Sequence, residues 1–162
     1  MGHPALYDED ILLWSEQQAH VIRRLAGARR DLPNELDVEN VAEEIESVGR
    51  SELAAVESFM ELILAHLIKL SAAPESTMDR HWRSELISFH GNMRRRYAES
   101  MRQRIAIADI WRQVREQAIA ASAEPFETGQ RMPVTCPFTL DDLLSERIDI
   151  SLLLDQFNLP RS

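Results

Sequence analysis

Glutamates and histidines at helical spacing are the residues of this chain best placed to do chemistry. Glu39, Glu43 and Glu46 recur at intervals of three and four, as do Glu57 and Glu61 at four, so each group shares one face of a helix. Carboxylates turned inward on helices are how bundle proteins hold paired iron or manganese ions. On that reading the metal-ligand candidates are Glu43, Glu46, Glu57, Glu61 and His66. Such centres also draw on Glu-x-x-His, a spacing that no glutamate here provides. Glu61 and His66 are five apart and point in different directions, so a solvated or arginine-paired face is the plainer expectation.

His66 keeps phase with Phe59, Ile63 and Leu70 and is expected to point inward, bonded to a neighbouring helix. His81 and His90 are nine residues apart and cannot reach one metal from a single helix face. A three-histidine site with His66 would need packing that the sequence does not specify.

The second chemical candidate is the basic run Arg94-Arg95-Arg96 with Arg102 and Arg104, near Tyr97 and Trp111. A helix carrying these residues could track a phosphate backbone. Against this, 17 of the 18 basic residues are arginine, so arginine is a habit of the whole chain. Consecutive arginines also radiate around a helix, and pairing with the acidic second helix is the expected use. Cys136, between Thr135 and Pro137, has no histidine nearby in sequence and reads as packing within a turn. No phosphate-binding loop, dinucleotide glycine fingerprint, serine elbow or zinc-protease motif occurs, and no residue is assigned to a cofactor.

The elements that must position these residues are helical. In Asp37–Leu70 apolar residues recur for more than thirty residues without a proline. Val38, Val41, Ile45, Val48, Val56, Phe59, Ile63 and Leu70 keep one phase, which predicts one buried stripe along a long helix. Asp37 is its expected N-cap, and Gly49 its expected point of close packing rather than a break. A helix of ~50 Å cannot stand alone and needs partners along its length. Before it, a helix is predicted over about Asp8–Ala28, with Ile11, Trp14, Gln18, Val21, Ile22 and Leu25 inward. After it, a third is predicted from Ser76–Asp79 through Tyr97 and a fourth over roughly Ser100–Ala121, with Ala98–Ser100 an ambiguous boundary. Residues 122–138 hold three of the chain's prolines and one glycine and read as irregular. Thr139 and Asp142 then form a capping box for a short helix.

The expected architecture is all-α: an antiparallel helical bundle with one long central helix and a short C-terminal helical segment folded back on it. Trp14, Phe59, Ile63, Met93 and Trp111 are the expected core. At 162 residues, 44% hydrophobic and 28% charged, the chain reads as one globular domain over residues 1–162. The net charge of −9 is uneven. Residues 1–78 carry 15 acids and 6 bases, 79–115 carry 9 arginines against 4 acids, and 116–162 carry 8 acids and 3 bases. No leader or membrane span is read: the start is Met1-Gly2-His3-Pro4, position 6 is Leu6, and the apolar run Leu62–Ile68 is interrupted by His66 and closed by Lys69. A single cysteine excludes an internal disulfide, and a cytoplasmic protein is expected.

Several motifs carry a family resemblance. They are Tyr7-Asp8-Glu9-Asp10 with Trp14 and Gln17-Gln18-Ala19, and the run Leu36-Asp37-Val38-Glu39-Asn40-Val41-Ala42-Glu43-Glu44-Ile45-Glu46-Ser47-Val48-Gly49-Arg50-Ser51-Glu52. His66-Leu67-Ile68-Lys69, Trp82-Arg83, Glu127-Thr128-Gly129 and Cys136-Pro137-Phe138-Thr139-Leu140 follow in order. Together they resemble the bacterial DUF29 family over about residues 7–144, with departures at Phe89-His90-Gly91-Asn92 and in a longer tail, 145–162. The resemblance implies an all-helical fold and carries no catalytic or cofactor residue onto this chain. The expected role is a small cytoplasmic interaction or regulatory module, with apolar residues in Ile148–Leu159 able to bind a partner or a second copy. A metal-dependent enzyme is the alternative and a nucleic-acid-binding protein the third; membrane association is not expected.

Overall fold

Helices account for every regular element among the described residues, as the periodicity predicts. The computed structural model describes residues 4–158. The elements are α1 (Pro4–Glu9), α2 (Ile11–Ala28), α3 (Val38–Ala72), α4 (Asp79–Arg96), a 3₁₀ turn (Glu99–Met101), α5 (Ile107–Ala120), α6 (Pro125–Arg131), α7 (Leu140–Leu144) and α8 (Ile150–Asn158). They fall into two compact units. The first comprises the described residues up to Val56 with Arg96–Ile105, and the second Glu57–Arg95 with the described residues from Ala106 onward. α3 contributes residues to both.

In the first unit, Asp10 divides what the sequence predicts as one helix. Its carboxylate accepts the Leu13 N–H at 2.9 Å, capping α2, and α1 ends one residue before it. The same carboxylate accepts the Ser100 N–H at 3.0 Å and the Ser100 hydroxyl at 2.6 Å. Asp37 caps α3 as expected, accepting the Asn40 N–H at 3.2 Å. α2 and α3 run antiparallel: Leu12 and Ser15 meet Gly49, while Arg23 reaches back to Glu39 and Glu46.

α3 is continuous across Gly49, and the packing there is as close as that glycine predicts. A Cβ at this position would lie 2.2 Å from Ser15 Oγ and 2.9 Å from Leu12 Cα. The buried stripe, however, is not the expected one along its whole length. Ala42, Gly49, Val56, Ile63 and Leu70, seven residues apart, are all buried. Val41 and Val48, one position earlier, are 41% and 43% exposed. On α2 the buried face is Leu12, Ser15 and Ala19, and Val21 and Leu25 face outward. The physical reason is common to both helices. Small side chains allow two backbones to interlock, and that contact outweighs the burial of larger apolar residues one position round the helix. Trp14, expected in the core, is only half-buried.

In the second unit α3 becomes apolar on most sides, with Met60, Ile63, Leu64 and Leu67 fully buried. α4 packs antiparallel to it: Phe59 lies 6.4 Å from Phe89, and His66 bonds Glu85. Leu86 and Met93 of α4 and Trp111 and Val114 of α5 complete this core. Of the expected core residues, Ile63, Met93 and Trp111 are buried and Phe59 is half-buried.

α4 ends at Arg96, and α5 begins seven residues later than predicted. The intervening segment is held by local turns and by the Ser100–Asp10 bonds. Within the stretch read as irregular, Pro125 starts α6, where its missing N–H costs nothing. Arg115 fastens that helix by donating to the Gly129 carbonyl at 2.7 Å. The Thr139–Asp142 capping box forms as predicted. The tail packs inside the chain: Ile150 and Leu153 are buried, and Phe157 sits edge-on to Trp111 at 6.0 Å. Among the described tail residues Leu152 is the large apolar side chain left exposed, and Leu159 lies outside them.

Candidate functional site

The glutamates named as metal candidates divide between the two units. Glu43 and Glu46 belong to the first, where cations engage them. Arg23 donates to Glu46 at 2.8 and 3.1 Å and to Glu39 at 2.9 Å, with Glu43 3.9 Å away, and Arg50 pairs with Glu43. The Arg23 guanidinium holds the Glu46 carboxyl below the usual carboxylate range. This is the arginine-paired face that the charge pattern predicts.

Glu57, Glu61 and His66 belong to the second unit. Glu57 and Glu61 line an open depression with Asp109, Arg112 and Glu116, and partial burial, reinforced by the neighbouring Glu61 charge, pushes the Glu57 carboxyl up. His66 turns elsewhere. It is buried, its Nδ1 lies 2.8 Å from the Leu62 carbonyl, and its Nε2 lies 2.8 Å from Glu85 Oε2. Both ring nitrogens therefore face oxygen atoms. His81 approaches the other Glu85 oxygen at 3.3 Å. The hydrogen bond from His66 holds the Glu85 carboxyl below its ordinary value.

His90 is buried against the Leu143–Ser145 backbone, and burial disfavours its charged form. No group of three or more His, Cys, Asp or Glu is arranged to hold a metal ion among the described residues.

The arginines named for nucleic acid are each engaged within the chain. Arg94 donates to the Leu144 carbonyl at the end of α7, and Arg95 to Asn92. Arg96 reaches both oxygens of Glu52 at 2.9 Å, Arg102 bonds Glu99 at 3.0 Å, and Arg104 bonds Glu16 at 2.8 Å. Of these contacts, that of Arg96 with Glu52 is the one made to the acidic second helix, α3. The others find partners closer in sequence or on other elements.

The feature that sequence reasoning missed is a groove in the first unit, of about 590 Å³, lined by Tyr7, Trp14, Asp37, Asn40, Val41, Glu44, Ile45 and Val48. Tyr7 and Trp14 meet edge to face at 4.7 Å and 81°. The signal for it lies in the sequence as two overlapping patterns. One is the line of small residues Ala42 and Gly49, which takes the buried position. The other is the valine stripe beside it, which is thereby turned outward.

A helical protein with an open apolar groove and arginine-engaged carboxylates is the class that fold and geometry define. The model of the family described as "Domain of unknown function DUF29" matches residues 6–148, and the chain belongs to that family. The chain is also similar to an alpha-helical protein of unknown function from Rhodospirillum rubrum ATCC 11170, known from a crystal structure. The two share 33% identity over 93% of this chain and 96% of the other, with a TM-score of 0.82. A search of curated proteins finds no match to the chain. No described helix is long and apolar enough to cross a membrane.

Proposed function

We propose that this chain is a small interaction module of the bacterial cytoplasm, binding another polypeptide along the groove between Tyr7–Trp14 and α3. The observation that carries this reading is the outward placement of Val41 and Val48 beside an edge-to-face aromatic pair. Tyr7 is 52% exposed and Trp14 half-buried. Apolar side chains gathered in a concave surface stay hydrated until a partner covers them, whereas isolated surface residues need no explanation. Aromatic rings with few rotatable bonds are also the anchors on which binding energy concentrates.

Site-specific photo-crosslinking tests the reading. A benzophenone side chain placed at Val48 should give a discrete polypeptide adduct in cells producing the protein. The same probe at Val134, an exposed position in the second unit, should not. Equal adducts from both positions, or none from Val48, would overturn it.

A further inference from the structure

We infer that the occupant of this groove is a cationic amphipathic helix of a partner protein; the inference rests on the docking role proposed above and specifies its ligand. Two independent features lead to it.

The first is backbone satisfaction. The groove runs beside α3 from Asp37 to Val48, about 16 Å at 1.5 Å per residue. Its walls are helices, whose backbone groups are already paired within themselves. An extended peptide laid there would find no sheet edge, since the described residues contain no strand. Its own N–H and C=O groups would then be stripped of water against apolar side chains without partners. A helix brings its backbone hydrogen bonds with it and presents only side chains to Trp14, Val41, Ile45 and Val48. The groove's length suits two to three turns.

The second is charge. On the opposite side of the α2–α3 pair, Arg23 and Arg50 answer Glu39, Glu43 and Glu46. Around the groove the described residues give no such answer. Asp37 and Glu44 line it. Neither carboxylate has a cationic partner among the described residues. An apolar trough whose lining includes the Asp37 and Glu44 carboxylates favours a ligand whose apolar face is flanked by Lys or Arg. It repels phosphate backbones and anionic lipid surfaces.

The test uses the intact protein and two synthetic sixteen-residue helices with the same leucine face, one carrying lysines on its polar positions and the other glutamates. Binding is followed through the Trp14 indole N–H resonance in ¹H–¹⁵N spectra, assigned with W14F. The lysine helix should bind about tenfold more tightly than the glutamate helix, and the D37N/E44K variant, in which asparagine keeps the α3 cap, should abolish or reverse that preference. V41E/V48E should lose the Trp14 response to both. Equal affinities for the two helices would overturn the cationic assignment while leaving the groove as a docking site. A lysine helix that binds wild type and V41E/V48E alike, without moving Trp14, would overturn the groove as its location. A Val48 crosslink to a second copy of this chain, with a dimer in sedimentation, would also overturn the inference. Failure of the docking role itself would show separately, as the absence of any Val48 adduct.

Discussion

Replacing Gly49 by alanine tests the packing on which the groove depends. The added methyl would lie 2.2 Å from Ser15 Oγ and 2.9 Å from Leu12 Cα. The second contact is with backbone, so α2 must retreat by roughly half an ångström before it becomes an ordinary contact. Turning Ser15 away would relieve the first, but its hydroxyl is buried and donates to the Leu12 carbonyl at 2.8 Å. Overpacking of this kind costs about 1–3 kcal/mol, and losing the buried hydrogen bond about 1 kcal/mol more. Opposing these is the gain of about 1 kcal/mol from replacing a mid-helix glycine by alanine. The net expectation for G49A is about 2 kcal/mol of lost stability, read from urea unfolding by circular dichroism. In thermal unfolding this corresponds to a fall of about 4–8 °C for a chain of this size. In an S15A background the nearer contact is gone and the G49A penalty should fall by about half. If G49A is as stable as the parent, helix propensity has won, and the interlocked backbones cannot be what turns Val41 and Val48 outward.

Other outcomes follow from the same geometry. V41E/V48E should change stability by no more than about 0.5 kcal/mol, since both positions are exposed, while eliminating groove binding; a large loss of stability in urea unfolding would contradict that exposure. The Glu85 carboxyl sits below its ordinary value of 4.5, so its contribution is present above that pH and lost as pH falls through the lower folded value. The stability advantage of the parent over H66L should therefore shrink below about pH 4.5 in acid titrations. His90 has its folded value depressed below 6.5, so the unfolded chain takes up this proton first and stability should decline as pH drops from about 6.5. That component should be missing from the pH–stability profile of H90Q. In R115A, α6 loses its bond to the Gly129 carbonyl, and limited proteolysis should cut Pro125–Arg131 sooner than in the parent.

Periodicity made the helices legible because burial acts on every third or fourth residue over long stretches. It located α3, its Asp37 cap and the Thr139–Asp142 box, whose chemistry is local. It missed the rotation of the buried face in the first half of α3. A hydrophobicity pattern ranks valine above alanine and glycine, whereas interlocked backbones rank them the other way. The break at Asp10 was equally hidden, because the carboxylate that ends α1 is also committed to Ser100, ninety residues downstream. The arginines illustrate the same limit. Their abundance predicted pairing with acids, but a flexible guanidinium takes the nearest acceptor that the fold offers, a carbonyl for Arg94 and a carboxylate for Arg96.

That reach from Asp10 to Ser100 has a consequence for how the polypeptide matures on the ribosome. The first unit is assembled from segments on either side of Glu57–Arg95. Its closing piece is therefore translated only after those ~40 intervening residues, a delay of about 2–8 s at 5–20 residues per second. Through that interval the nascent amino-terminal helices must wait with the Asp10 latch unfastened, and a synonymous pause before Arg96 would lengthen their exposure to chaperones.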